Sequence, residues 1–340
     1  MRRNNLDQPY IIAEGGTNHN GSLHTALKLV DLAKNSGAQA IKFQIINPEG
    51  LYVPSFFENG EYRPNPVIEQ RRRFMLKDDE YARISEYAAE RQINFSSTVF
   101  DDKSLDLLAG FKPPFIKIAS CDLNNLSFLL RVTEKAALNN AYLILSTGMS
   151  TLDEIERSVS GILKTGFRDI VLLHCVSVYP AKLHQMNLWF LDILKNTFDL
   201  PIGFSDHTGD SLASVIALAK GASYFEKHIT LDKTQEGFDH AYAMEAKEFA
   251  RYVKDINDAY MALDDQQAKL SDDELTVKKR ARRALYAARK LEKGDLIRKE
   301  DVLIVRPEAS LRADEMDSIV GKRCRTTIMQ YQPFSKDLVE

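Results

Sequence analysis

The residues best suited to chemistry in this chain occur in short polar runs, each following or ending an apolar one. They are Glu14 followed by Asn18-His19-Asn20-Gly21, then Lys42-Phe43-Gln44, Ser96-Ser97-Thr98, Lys117, Ser120-Cys121-Asp122, Ser146-Thr147-Gly148, Ser177-Val178-Tyr179, Ser205-Asp206-His207-Thr208 and Glu226-Lys227-His228. Lys42 and Lys117, with the hydroxyls of Thr98, Ser120, Ser146, Ser177 and Ser205, have the composition of an anion cradle: ammonium groups supply charge, and hydroxyls supply donors matched to a phosphate or carboxylate. His207 and His228, with Glu14 or Asp206 nearby, suit a borderline divalent ion such as Mn²⁺, Zn²⁺ or Fe²⁺. Their spacing matches no compact zinc signature, so the residues alone leave metal binding open.

Each run falls where a β-strand would end. The candidate strands are Tyr10–Gly16, Ala40–Gln44, Ile93–Phe100, Phe115–Ser120, Tyr142–Gly148, Asp169–Cys175, Pro201–Asp206 and Tyr224–Ile229. Their near-continuous apolar character predicts burial on both faces, as in a parallel sheet. Helical patterns lie between them, for example at Ser22–Ser36, Thr151–Lys164 and Ser211–Lys220. Ser22 and Thr151 stand at N-cap positions, and Gly37, Gly166 and Gly221 at helix ends. Eight such units predict a closed (β/α)8 barrel, whose chemistry sits at the C-terminal ends of the strands; a doubly wound open sheet is the alternative. Period-two alternation then puts Lys42 with Gln44, Cys175 with Ser177 and Tyr179, Ser205 with His207, and Glu226 with His228 on shared faces. His174 alternates away and is expected to pack against a helix. Trp189 is expected in the core.

Residues 45–77 interrupt the rhythm with four prolines and several aromatics, a length that suits a lid or a partner-contact arm. Within them, Arg71-Arg72-Arg73 is expected to be a solvated face or loop. Residues 1–263 are assigned to the barrel, 264–279 to a helical or extended linker, and 280–340 to a small β-rich domain. Its β-like pieces are Ala284–Ala287, Leu303–Val305 and Cys324–Thr327. If extended, the linker would reach roughly 50 Å.

The 340 residues are 44% hydrophobic and 27% charged with a formal net charge of −3, which gives no electrostatic reason to expect nucleic acid or a membrane surface as partner. No apolar stretch approaches the roughly 20 residues of a membrane span. Residues 1–9 lack the apolar segment of a secretory signal. Three widely spaced cysteines fit a reducing compartment, so the expected location is the cytoplasm. Cys175 is expected to be a small buried hydrophobe.

The ordered set Ile11-Ile12-Ala13-Glu14-Gly15-Gly16-Thr17-Asn18-His19-Asn20-Gly21, Lys42-Phe43-Gln44, Phe95-Ser96-Ser97-Thr98, Lys117-Ile118-Ala119-Ser120, Leu145-Ser146-Thr147-Gly148-Met149, Ser205-Asp206-His207-Thr208, Glu226 through Lys233 and Asp239-His240 resembles the sialic acid synthase family. That family includes N-acetylneuraminate, legionaminate and pseudaminate synthases and a spore-coat polysaccharide relative. The tail from Arg282 through Arg306-Pro307 to Pro333-Phe334 resembles the family's antifreeze-like (SAF, β-clip) domain. The resemblance implies a TIM barrel fused to that domain in a domain-swapped homodimer. It also implies condensation of phosphoenolpyruvate with an open-chain mannosamine-type sugar, with release of phosphate. His207 and His228 match the family's metal ligands, with Mn²⁺ as the implied ion and Mg²⁺ or Co²⁺ as alternatives. Glu14 matches a catalytic carboxylate. Lys42, Thr98, Lys117, Ser120, Ser146 and Ser205 match phosphoenolpyruvate contacts, and Ser177 is placed with them. Gln44, Tyr179 and Asp239 match contacts to the acceptor sugar, and Arg306 matches an arginine reaching that sugar from the partner's small domain. Two positions depart from the pattern. Asp122, on the acceptor side, stands where the family usually has Glu, and Ser177 where it usually has Asn, which bears on the acceptor's identity. The alternatives are another phosphoenolpyruvate-condensing sugar-acid synthase and a non-catalytic glycan-binding protein. A barrel acting on a phosphorylated sugar would need a second basic cluster, and the sequence has none to spare.

Overall fold

The computed structural model describes residues 8–264 and 269–340. They form two compact units that divide between Asp265 and Gln266, close to the expected end of the barrel at residue 263. The part of the expected linker at 265–268, and residues 1–7 of the N-terminal segment, lie outside the described residues.

Eight parallel strands close the first unit: β1 (Tyr10–Gly16), β2 (Ala40–Ile45), β3 (Asn94–Val99), β4 (Phe115–Ile118), β5 (Tyr142–Ser146), β6 (Ile170–Cys175), β7 (Ile202–Asp206) and β8 (Tyr224–His228). Each pairs with its sequence neighbours, and β8 returns to β1, so the sheet has no free edge. Alternate residues point out against the helices or into the barrel. The outward set, including Ile11, Ile41, Phe95, Ile116, Leu143, Leu172, Phe204 and Phe225, joins the helices in one continuous apolar core. His174 belongs to this outward layer, as expected: its Nε2 lies 2.7 Å from the Met186 carbonyl, and its ring faces Phe190 and Phe204.

The helices start and stop where the sequence places their signals. Ser22 Oγ accepts from Thr25 N, and Thr151 caps Leu152–Leu163 with Glu154 closing the capping box. Gly37, Gly166 and Gly221 follow helix ends in the left-handed region. Trp189 corrects the sequence reading: it precedes the helix Phe190–Phe198 and is 69% exposed, with the Lys220 ammonium 4.5 Å from its ring centroid.

Residues 45–77 form a structured arm containing a short helix (Pro48–Leu51), a hairpin (Ser55–Glu58 with Glu61–Pro64) and a helix (Pro66–Arg73). Arg72 and Arg73 are exposed, as a solvated face requires, but Arg71 is not. Its guanidinium stacks 3.6 Å from the centroid of Phe238, a residue of the loop after β8.

In the second unit, Ala284–Ala287 pairs antiparallel with Val302–Val305. A small core gathers around Leu285, Leu291, Ile297, Leu311, Cys324, Ile328 and Phe334. The expected strand at Cys324–Thr327 is reduced to an isolated bridge between Cys324 and Val339. Asp272–Ala281 is helical, so the extended reach expected for 264–279 does not hold there. A helix rises about 1.5 Å per residue, less than half the rise of an extended chain.

Candidate active site

The inward residues change character along the barrel. At the N-terminal end Tyr10, Ile12, Ala40, Phe115, Tyr142, Ile144, Val171, Leu173 and Tyr224 fill the interior. One or two alternations further on, the inward side chains are Glu14, Lys42, Thr98, Lys117, Ser146, Cys175, Ser205 and Glu226, all buried. Strand register makes this a layer: Glu14 is level with Lys42, Thr98 with Lys117, Cys175 with Ser205, and Ser205 with Glu226.

At its centre two ammonium groups meet two carboxylates. Lys42 Nζ lies 2.5 Å from Glu14 Oε2 and 3.6 Å from Glu226 Oε2, and Lys117 Nζ is also 3.6 Å from Glu226 Oε2. Lys42 donates to Thr98 Oγ1 at 3.0 Å, Gln44 Nε2 to Glu14 Oε1 at 3.0 Å, and Ser205 Oγ to Glu226 Oε1 at 3.0 Å. The two carboxylates therefore have opposite electrostatics. Burial, reinforced by Glu226, raises the Glu14 carboxyl to about 7 against the pull of Lys42. Burial also opposes ionisation of Glu226, but Lys117, Lys42 and His228 with the Ser205 hydroxyl outweigh it and bring that carboxyl down to about 2. Burial lowers the Lys117 ammonium despite Glu226. Lys42, between two carboxylates, is raised in spite of its burial.

A second group adjoins the cradle. Ser120 Oγ is 3.2 Å from Cys175 Sγ and accepts from Gly148 N at 3.1 Å. Gly148 is required by crowding: a Cβ there would stand 2.5 Å from Ser177 Oγ, 2.8 Å from Ser120 Oγ and 2.9 Å from Cys175 Sγ. Ser146 lies buried at the end of β5, two residues before it. Thus Ser120 and Ser177 come together around Gly148, where β4, β5 and β6 end.

Across the mouth, His207 and His228 face each other with ring centroids 5.8 Å apart. His207 Nδ1 lies 2.7 Å from the Val176 carbonyl, which fixes Nδ1 as the protonated nitrogen and leaves Nε2 a lone pair. His228 Nδ1 is buried with no hydrogen-bond partner and lies 4.0 Å from Asp239 Oδ2. Burial lowers both imidazoles, His228 to about 4, so they are neutral at pH 7. His207 Nε2 lies 3.4 Å from Ser205 Oγ, whose own proton goes to Glu226, so both imidazoles keep a nitrogen lone pair and fit a divalent ion as two of its ligands. Among the described residues no cluster of three or more His, Cys, Asp or Glu forms a ready-made site, so the remaining ligands would be water or substrate oxygens.

Tyr179, half exposed, packs at a tilt with its ring centroid 4.3 Å from that of His207 and 5.0 Å from that of Tyr242, whose hydroxyl donates to Asp239 Oδ1. Gly16, at φ +52°, carries no side chain where a Cβ would meet Asp239 Oδ2 at 2.7 Å. Asp122 is half-buried in the single turn Ser120–Asp122, where burial raises its carboxyl. Arg306 is an exposed residue of the second unit, just past the strand Val302–Val305; the cluster described above is drawn from the barrel alone.

Three residues of this site were not assigned a role from the sequence. Glu226 was visible as the inward neighbour of His228, but only the closed barrel puts it between two lysines that come from β2 and β4. Cys175 is buried as expected, and its Sγ lies 3.2 Å from Ser120 Oγ within the cradle. Tyr242 lies in a short turn after β8, and no local pattern marks it.

A sequence model of the NeuB family matches residues 29–268, and one of the SAF domain matches residues 282–340. The chain is 37% identical to an N,N'-diacetyllegionaminic acid synthase of Legionella pneumophila, over 92% of this chain and 90% of that one. It is 33% identical to a pseudaminic acid synthase of Campylobacter jejuni, over 94% and 93%. The crystal structure of an N-acetylneuraminic acid synthetase from Leptospira borgpetersenii, in complex with citrate, superposes with a TM-score of 0.71 at 32% identity. That match covers 82% of this chain and 94% of the other. The chain therefore belongs to the NeuB family, with a SAF domain following its barrel.

Proposed function

We propose that this protein is a nonulosonate synthase that joins phosphoenolpyruvate to the open-chain form of a mannosamine-type sugar and releases phosphate. The observation that carries the reading is the buried layer in which Lys42, Lys117 and a ring of hydroxyls adjoin two neutral, facing imidazoles. The family relatives, named for legionaminic, pseudaminic and neuraminic acid synthesis, support the same class of reaction.

Lys42 and Lys117, with Thr98, Ser120, Ser146, Ser177 and Ser205, hold the carboxylate and phosphate of phosphoenolpyruvate, so that its C3 carbon faces the sugar aldehyde in one orientation. Bond formation between C3 and the aldehyde carbon moves the carbonyl π pair onto oxygen, which takes up a proton to become the product hydroxyl, and leaves oxocarbenium character at C2. Water adds at C2, and cleavage of the C2–O bond expels phosphate. Glu14, with its carboxyl near 7, exists in both protonation states at neutral pH and can take up the proton that water loses. Gln44, Tyr179 and Asp239 line the acceptor side, with Asp122 and Ser177 at its margin. A divalent ion held by His207 and His228, Mn²⁺ in first place, would supply Lewis acidity at the aldehyde oxygen. In a domain-swapped homodimer, Arg306 of the partner subunit would contact the acceptor.

The test is phosphate release from phosphoenolpyruvate with Mn²⁺ and a panel comprising N-acetylmannosamine, a 6-deoxy diacetamido sugar and mannosamine. Turnover with one of them is expected, and phosphate release with none would overturn the reading. Mixing Arg306→Ala with His228→Ala subunits should recover part of the activity, because one hybrid site is intact. Well-mixed heterodimers without recovery would remove Arg306 from the site.

A further inference from the structure

Phosphoenolpyruvate brings a carboxylate and a phosphate into a pocket whose cations already have partners. Lys42 is 2.5 Å from Glu14 and 3.6 Å from Glu226, and Lys117 is 3.6 Å from the same Glu226 oxygen. Asp239 adds a third carboxylate beside His228. Adding a multiply charged anion to such a buried set is costly unless positive charge enters with it, because interactions strengthen and solvation weakens away from water.

Glu226 is the member of the set that faces both lysines. Ser205 anchors its Oε1, whereas its Oε2 is buried and accepts no hydrogen bond, and its ion-pair partners are the two ammonium groups, each 3.6 Å away. Glu14 is held differently, by Lys42 and Gln44. Resting on the functional reading above, we propose that Glu226 makes phosphoenolpyruvate affinity conditional on the divalent ion. Its carboxylate balances the lysine pair, so the anion is held weakly until a divalent cation restores positive charge. The coupling is reciprocal, and phosphoenolpyruvate should tighten the ion by the same factor. The consequence is order: the cradle does not fill with phosphoenolpyruvate while the group that activates the acceptor is missing.

The experiment is calorimetric titration of phosphoenolpyruvate into metal-stripped protein, with and without Mn²⁺, for the wild type and Glu226→Gln. In the wild type Mn²⁺ should tighten phosphoenolpyruvate about 30-fold, within the usual range of coupling between sites. In Glu226→Gln the metal-free affinity should rise about tenfold, and the Mn²⁺ effect should fall below about threefold. A His207→Ala/His228→Ala variant controls for pairing of Mn²⁺ with phosphoenolpyruvate in solution and should show no Mn²⁺ effect; an effect equal to the wild type's would overturn the role of a protein-held ion. Equal wild-type affinity with and without Mn²⁺ overturns the proposal whether or not the variant folds. Undiminished coupling in a folded Glu226→Gln protein overturns the part given to Glu226. Absence of phosphoenolpyruvate binding under both conditions overturns the functional reading itself.

Discussion

The two ends of the barrel interior are built by the same strands with the same two-residue alternation, yet they do opposite things. At the N-terminal end Tyr10, Phe115, Tyr142 and Tyr224 pack ring against ring, with centroids 5.5–6.5 Å apart, above Ile12, Ala40 and Ile144. At the C-terminal end the same strands carry Glu14, Lys42, Lys117 and Glu226. The first arrangement gains from removing apolar surface from water. The second removes four ionisable groups from water and recovers only part of that cost through mutual attraction. Stability in this fold therefore comes from the aromatic end and the outward face, and the polar end is retained for what it binds. Substitutions at the two ends should consequently fail in different assays.

The largest contrast is expected between His207 and Phe115. His207→Ala should lower kcat by about a thousandfold or more, of the order seen when an essential electrostatic contact is removed, while its melting temperature stays within a few degrees of wild type. Phe115 is fully buried at the other end. Phe115→Ala should cost about 3–5 kcal/mol of stability and leave kcat of the folded fraction nearly unchanged. Denaturant melts and steady-state kinetics on both variants decide the matter. A large loss of stability in His207→Ala, with kcat intact in the surviving protein, would erase the distinction between the ends.

Gly148 sharpens the comparison within the polar end. A methyl group there is forced against Ser177, Ser120 and Cys175. Gly148→Ala should raise KM for phosphoenolpyruvate about 10–100-fold, because the three side chains that must shift form one wall of the cradle. Gly110, at the end of a barrel helix, has open space around it, so Gly110→Ala should leave KM unchanged. Equal KM values in the two variants would show that Gly148 is not at the anion site.

Glu14 gives the polar end a pH signature that the aromatic end lacks. Its carboxyl lies near 7, so the ionised, proton-accepting form grows as pH rises through neutrality. If Glu14 acts as the base, kcat/KM should rise about tenfold per pH unit below 7 and level off above it. Glu14→Gln should be slower throughout and lose that limb. A rising limb that persists in Glu14→Gln would assign it to another group.

Most of this division was legible in the sequence, for a physical reason. Strand alternation is local, so Lys42 with Gln44, or Ser205 with His207, could be placed on shared faces before any fold was known. Eight apolar runs, each ending in polar residues, specify a parallel barrel with its site at one end. What stayed hidden depends on closure. The meeting of Lys42 and Lys117 at Glu226 joins three strands that are far apart in the chain, and the crowding around Gly148 joins the ends of β4, β5 and β6. Trp189 was misjudged because a helix-like pattern around it says which residues share a face, not where the helix begins. Trp189 precedes the first turn and stays in solvent. Arg71 was misjudged for the complementary reason: the ring that covers it, Phe238, belongs to a loop more than 160 residues away.

The smallest expected effect tests whether the polar end also sets acid sensitivity. His19, in the loop after β1, is fully buried, with Gly21 N donating to its Nδ1 at 3.1 Å. Burial, helped by His240, lowers its imidazole to about 3. The folded state therefore keeps His19 neutral at pH values where the unfolded chain, titrating near 6.5, binds a proton. Between those two values the unfolded state holds more protons, so stability is complete above about 6.5 and is lost as pH falls. Protonation of Nδ1 would also turn the acceptor of the Gly21 bond into a donor. One such histidine costs about 1.4 kcal/mol at pH 5.5 relative to pH 7.5. His19→Gln should be less stable at pH 7.5 but should lose less on acidification, narrowing the difference between the two pH values by about that amount. Urea melts at both pH values for both proteins measure it. An unchanged pH difference in His19→Gln would mean that His19 is protonated in the folded state, and that acid sensitivity arises from the other buried histidines of the barrel, His174, His207, His228 and His240.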